Sequence, residues 1–165
     1  MDKLRNSKAL RGFFKLFNAL AETILLLSLG GLFLVVLVQI GGRILGMPAP
    51  WTEEGTRYLF LWMMFTALAY GFRFVESARV SVFIEKLPSP LKTVTTALYV
   101  VSTLGFFAFM IYYGAKLTNQ QIKMHEIGAA ITIPMWFIGV SLPFSGLLGI
   151  VSTIQGLLDY PQKLK

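Results

Sequence analysis

The sequence predicts an all-α integral membrane protein with four transmembrane helices and both termini in the cytoplasm. Three observations carry this expectation. Of the 165 residues, 55% are hydrophobic and 14% are charged, with a mean hydropathy of +0.66. A soluble domain has nearer a quarter of its residues charged and could not hide this much apolar surface from water. The apolar residues gather in four long stretches almost free of charge, and a helix rising about 1.5 Å per residue needs about 20 of them to cross a hydrocarbon core of about 30 Å. Lysines and arginines are also sorted by segment. They crowd the N-terminal tail (Lys3, Arg5, Lys8, Arg11, Lys15), the loop Arg73–Lys92 (Arg73, Arg79, Lys86, Lys92) and the C-terminus (Lys163, Lys165). The two remaining connections hold only Arg43, Arg57, Lys116 and Lys123. Positive charge marks the cytoplasmic side. The net charge of +7 is therefore read as orientation in a membrane, not as a nucleic-acid surface. Residues 1–165 form one membrane domain.

The N-terminal segment has two open readings. Lys8, Arg11, Lys15 and Asn18 share one helical face with Leu10, Phe13, Phe14 and Phe17 opposite. That pattern fits an amphipathic helix lying on an anionic cytoplasmic leaflet. The same residues also fit a frayed basic tail that only follows the charge rule. The first span is Ala19–Ile40, whose single charge, Glu22, falls in the first turn within reach of the headgroups. Its apolar run is too long for a signal peptide.

A Gly- and Pro-rich connection with Arg43 leads to the second span, about residues 52–75. Its opening is the most distinctive stretch of the chain: Trp51-Thr52-Glu53-Glu54-Gly55-Thr56-Arg57-Tyr58. Thr52 is read as the N-cap. Glu53 and Glu54 lie in the first turn, where carboxylates interact favourably with the helix dipole. Arg57 follows at the spacing that lets it meet both acids on one face. Trp51 and Tyr58 flank the cluster as interfacial aromatic anchors. The sequence thus predicts a lip with an internal ion pair.

In the following loop, Val80-Ser81-Val82-Phe83-Ile84 has a strand-like pattern but is read as an interfacial stretch, closed by Pro88-Ser89-Pro90. The third span is Thr93–Ala115, and Lys116–Glu126 is read as a polar loop. The charge-free run Ile127–Leu158 is too long for one crossing. Proline favours a first helical turn, so Pro134 is taken as the start of a fourth span over about residues 134–158. Pro143 inside that span predicts a kink. Ser141, Ser145 and Gly149 recur every four residues as a strip suited to close helix packing.

Little chemistry is available. The sequence has no cysteine and a single histidine, His125. That excludes thiol redox chemistry, iron–sulfur ligation and the usual Cys/His zinc sites. No nucleophile–base pair, phosphate loop or metal-ligand spacing can be drawn, so neither an enzyme nor a cofactor is expected. Charges stay at the rims, whereas an autonomous transporter usually carries ionisable groups at mid-depth. An accessory subunit fits better. The alternative is a self-sufficient small four-helix transporter with Glu22 as its coupling acid.

The chain resembles the small membrane subunit of tripartite ATP-independent periplasmic (TRAP) transporters, the DctQ-like family. The resemblance lies in Gln39-Ile40-Gly41-Gly42-Arg43, Trp51-Thr52-Glu53-Glu54, Arg57-Tyr58-Leu59-Phe60-Leu61-Trp62, Arg73, Val80-x-Val82 and Leu87-Pro88. Pro134-Met135-Trp136 and Pro143 complete it. One departure is Arg79, where the family often has histidine, which leaves no imidazole at that place. The resemblance implies residence in the bacterial inner membrane beside a large multi-helix permease subunit. That partner would hold the sodium and substrate sites, and a periplasmic binding protein would deliver an organic acid. The small subunit would brace the large one. Arg43, Trp51, Glu53, Glu54, Arg57, Arg73, Pro134, Trp136, Ser141, Ser145 and Gly149 are the structural or interface candidates.

Overall fold

The computed structural model describes residues 8–74 and 89–159, and these are helical apart from turns and two short connections. The elements are α1 (Lys8–Ile44), α2 (Trp51–Gly71) with a 3₁₀ turn at Phe72–Phe74, α3 (Ser89–Lys123), α4 (Trp136–Gly139) and α5 (Ser141–Asp159). The strand-like Val80–Ile84 stretch and Arg79 lie outside the described residues.

Several expected boundaries move. The basic segment and the first span form one unbroken helix of 37 residues, about 55 Å long, so no separate surface helix exists from Lys8 onward. Glu22 accordingly lies well inside α1, not in a first turn. Lys116–Lys123, expected as loop, continue α3. Their Gln, Asn and Lys side chains are good enough helix formers to extend it beyond the apolar run. Pro134 precedes the last helical segment, in an isolated antiparallel bridge with Ile127. That segment breaks at Val140, between α4 and α5, three residues before Pro143. A proline has no N–H to donate to Gly139 and its ring crowds that carbonyl. Ser141 Oγ donates to the Ile138 carbonyl at 2.6 Å across the break.

Three segments are long and apolar enough to cross a membrane: Arg11–Ile44, Val94–Lys123 and Trp136–Leu158. The expectation of four was broader. In α2, Glu53, Glu54 and Arg57 occupy the first two turns, and Trp62, Tyr58 and Tyr70 dilute the apolar remainder.

The packing order differs from the chain order. α1 packs along α2, α2 along α5, and α5 along α3, giving an open row rather than a closed bundle. The interior of the row is small and largely polar: Ser141, Ser145 and Thr66 are fully buried beside Phe107, Leu148 and Ala69. The outer faces carry the large apolar side chains, among them Leu26, Leu27, Phe33, Leu34 and Leu37 on α1. Lipid is as apolar as leucine, so burying such groups inside gains little, and small residues that permit close helix approach take the interior instead. The tightest contact is α3 on α5. The ring of Phe107 occupies the space that a Cβ at Gly149 would need, and Phe72 meets that ring edge-on at 5.1 Å.

Candidate functional site

The two ends of the α1–α2 pair are each closed by a polar clasp. At one end α1 finishes in a Schellman motif. The Met47 N–H donates to the Gly42 carbonyl at 2.8 Å and the Gly46 N–H to the Arg43 carbonyl at 3.3 Å. Gly46 supplies the left-handed conformation, with φ 69°. Gly42 must remain bare because a Cβ there would meet the Met47 carbonyl oxygen at 2.8 Å. This turn delivers Arg43 to Glu53, with Nη2 donating to Oε1 at 3.1 Å. Both side chains are 66% exposed, so the pair is worth at most about 1 kcal/mol and sets geometry more than stability.

Glu54 has a different environment. Its Oε1 accepts from the Tyr58 hydroxyl at 2.7 Å and from the Ala129 N–H at 3.1 Å. Its Oε2 accepts from the N–H groups of Ala130 at 2.8 Å and Ile131 at 2.6 Å. One carboxylate therefore gathers three consecutive amides from the tip of the α3–α4 loop and staples it to α2. The loop is shaped to present them. The Gly128 N–H donates to the Ile133 carbonyl at 3.2 Å and the Met135 N–H to Glu126 at 2.9 Å. A Cβ at Gly128 would collide with Glu54 Oε1, the Tyr58 hydroxyl and the Ile131 carbonyl. The single histidine belongs to the same loop as a cap. The Glu126 N–H donates to the Gln121 carbonyl and the His125 N–H to Ile122, both at 3.2 Å. His125 itself takes the left-handed position, with φ 50°. This second Schellman motif ends α3 with histidine where glycine is usual.

At the other end of the pair, the Tyr70 hydroxyl donates to Glu22 Oε1 at 2.6 Å and accepts from Arg73 Nη1 at 2.9 Å. Arg73 also lies 5.8 Å from the Tyr70 ring centre. Glu22 and Arg43 thus mark two levels on α1, separated by about 30 Å of helix, and only Gln39 and small hydroxyl residues interrupt the apolar run between them.

The geometry corrects the predicted lip in two respects. Thr52 is not the N-cap. It lies in the first turn, its hydroxyl donating to the Ala49 carbonyl at 2.6 Å, and Pro50 holds the cap position without a side-chain bond. Arg57 is exposed and pairs with neither acid, because Glu53 turns to α1 and Glu54 to the loop. Trp51 and Trp136 stand half-exposed at the first positions of α2 and α4. Trp62, inside α2, lies between Phe137 and Phe144, at 5.5 and 5.8 Å. Ser141, Ser145 and Gly149 all lie in the buried seam. The sequence reading took Tyr58 for an interfacial anchor, whereas it is buried and bonded to Glu54, and it assigned no role to Tyr70, Gly128 or Phe107. The Glu54–Tyr58 spacing of four was a usable signal for that bond, whereas backbone donors 75 to 77 residues away leave none.

Among the described residues no group of acids or histidines could hold a metal ion. What the fold and its clasps define is a helical membrane scaffold with polar ties at two levels. The chain belongs to the family of tripartite ATP-independent periplasmic transporters, DctQ component, whose model matches residues 32–160. It is a transporter permease component and not an enzyme. Two curated relatives agree. One is the isethionate TRAP transporter permease protein DctMQ of Oleidesulfovibrio alaskensis, 26% identical over 109 residues, which are 66% of this chain. The match covers 17% of that relative's length. The other is the sialic acid TRAP transporter small permease protein SiaQ of Vibrio cholerae, 23% identical over 149 residues, covering 88% of this chain and 83% of the relative.

Proposed function

We propose that the chain is the small permease subunit of a TRAP-type transporter, crossing a bacterial inner membrane four times with both termini in the cytoplasm. It braces a large permease subunit that couples sodium to uptake of an organic acid delivered by a periplasmic binding protein. The observation that supports this most is the open row: α1 packs chiefly on α2, and α3 on the α4–α5 segment, and both leave long apolar faces bare. Such faces suit a larger helical partner as well as lipid. The DctMQ relative, several times longer than this chain, fits such an assembly within one polypeptide. The two clasp levels support α2 as a further crossing, since Glu54 and Arg73 are also about 30 Å apart along the helix. Sodium and substrate sites are assigned to the partner.

Co-expression with a large permease tests the reading. A stable complex is expected, with sodium-driven uptake of an organic acid in liposomes from the complex plus binding protein and none from this chain alone. Uptake by the isolated chain would refute it. Cysteines introduced at Ala49 and Gln120 should react with an impermeant maleimide from outside the cell, and one at Ser89 should not. The reverse pattern would invert the topology.

A further inference from the structure

Among the described residues the open row leaves grooves on two sides of α3. One, between α2 and α3 over Leu142, is almost wholly apolar and about 320 Å³. Nothing in it selects an occupant. The other, about 740 Å³, runs between α3 and α5. Its floor is mostly apolar, formed by Ala108, Ile111, Tyr112 and Ala115 with Ile150 of α5, but one end carries Lys116 and Asn119. Positions 108, 112, 115 and 119 recur at helical spacing, so the apolar track and the polar end form one continuous stripe. Lys116 pairs with no acid among the described residues. It follows directly on the charge-free run ending at Ala115, the level at which hydrocarbon gives way to headgroups. A shallow, mostly apolar track ending in an ammonium and a carboxamide is complementary to a lipid whose acyl chain and phosphate are joined through glycerol.

We propose that the α3–α5 groove binds one anionic glycerophospholipid, with an acyl chain along Ala108, Ile111 and Ala115 and its phosphate on Lys116 and Asn119. Tyr112, between Ile111 and Ala115, flanks the acyl chain. The site faces the leaflet on the Glu54 side of the protein. It rests on the reading of the chain as membrane-spanning.

The test uses the full chain in mild detergent, titrated with phosphatidylglycerol and phosphatidylcholine of identical acyl chains, with bound lipid read by native mass spectrometry. Phosphatidylglycerol should be retained about fivefold more strongly, the effect of one lysine at an anionic lipid surface. Lys116→Gln should remove the preference while leaving phosphatidylcholine bound. Lys123→Gln, outside the groove, should keep it. Ala108→Phe should lower retention of both lipids with helicity unchanged. Equal retention of the two lipids by the wild-type chain, or a preference that survives Lys116→Gln, overturns the site. Absence of any retained lipid would instead count against the membrane-spanning reading. In the complex with a large permease, a photoreactive benzoylphenylalanine at Tyr112 should crosslink to lipid. Crosslinking to protein would assign the groove to a partner helix and overturn the proposal.

Discussion

Gly149→Ala is the most informative single substitution in the row of helices. The three atoms nearest an added Cβ all belong to the Phe107 ring, and all are too close for an ordinary contact. The ring cannot step aside. It is fully buried, Phe72 meets it edge-on and Phe106 packs at 5.5 Å. The backbone is also pinned, since a Cβ at the neighbouring Gly146 would lie 3.1 Å from the Phe107 carbonyl. The added methyl must therefore push α3 away from α5. Overpacking of this kind costs about 1–3 kcal/mol, and the rigidity of the site places this case in the upper half of that range. At about 2–4 °C per kcal/mol for a chain of this size, thermal unfolding of the purified protein, followed by near-ultraviolet circular dichroism, should fall by several degrees. Phe107→Leu alone should also destabilise. Introduced together, the two changes should lose less than the sum of the singles, because the shorter side chain vacates the space that the added methyl takes. A Gly149→Ala protein as stable as wild type, or strict additivity with Phe107→Leu, would refute the reasoning.

The clasp residues give three further expectations. Glu54→Ala should release the Ala129–Ile131 amides and speed their hydrogen exchange, while Tyr58→Phe, which removes one of four bonds, should do so less; equal exchange in wild type and Glu54→Ala would show that the staple is not what holds the loop. Arg57→Ala should change stability by no more than about 0.5 kcal/mol, as expected for an exposed side chain with no ion partner among the described residues, so a large fall in Tm would restore the ion pair that the sequence suggested. His125→Gly should raise stability by about 1 kcal/mol, because glycine adopts the left-handed cap conformation without the Cβ clash, and an unchanged or lowered Tm would point to a further role for the imidazole.

Composition and loop charge made the helical membrane class legible, since an apolar excess is a property of the chain that no folding rearranges. The family could be read as well, because Gly42-Arg43 and Trp51-Thr52-Glu53-Glu54 are local signals. Gly42 is needed by the turn that it forms, and Arg43 and Glu53, which it brings together, are only ten positions apart in the sequence. Helix lengths were legible only where an apolar run coincided with the helix. α3 runs on through Lys116–Lys123 because helix formation does not require an apolar side chain, only one that does not break it.

Which polar group meets which was decided by the tertiary structure. Glu53, Glu54 and Arg57 are placed by helical spacing to meet one another, and on an isolated helix that pairing would be worth a few tenths of a kcal/mol. In the folded chain Glu54 instead accepts bonds from three backbone amides brought from a distant loop. Charge-assisted bonds of that kind outweigh a weak surface ion pair, and backbone donors leave no mark in a sequence. The order α1, α2, α5, α3 was hidden for the same reason. Small residues on α5 announce that something packs closely there, but only the assembled helices show that it is the Phe107 ring of α3.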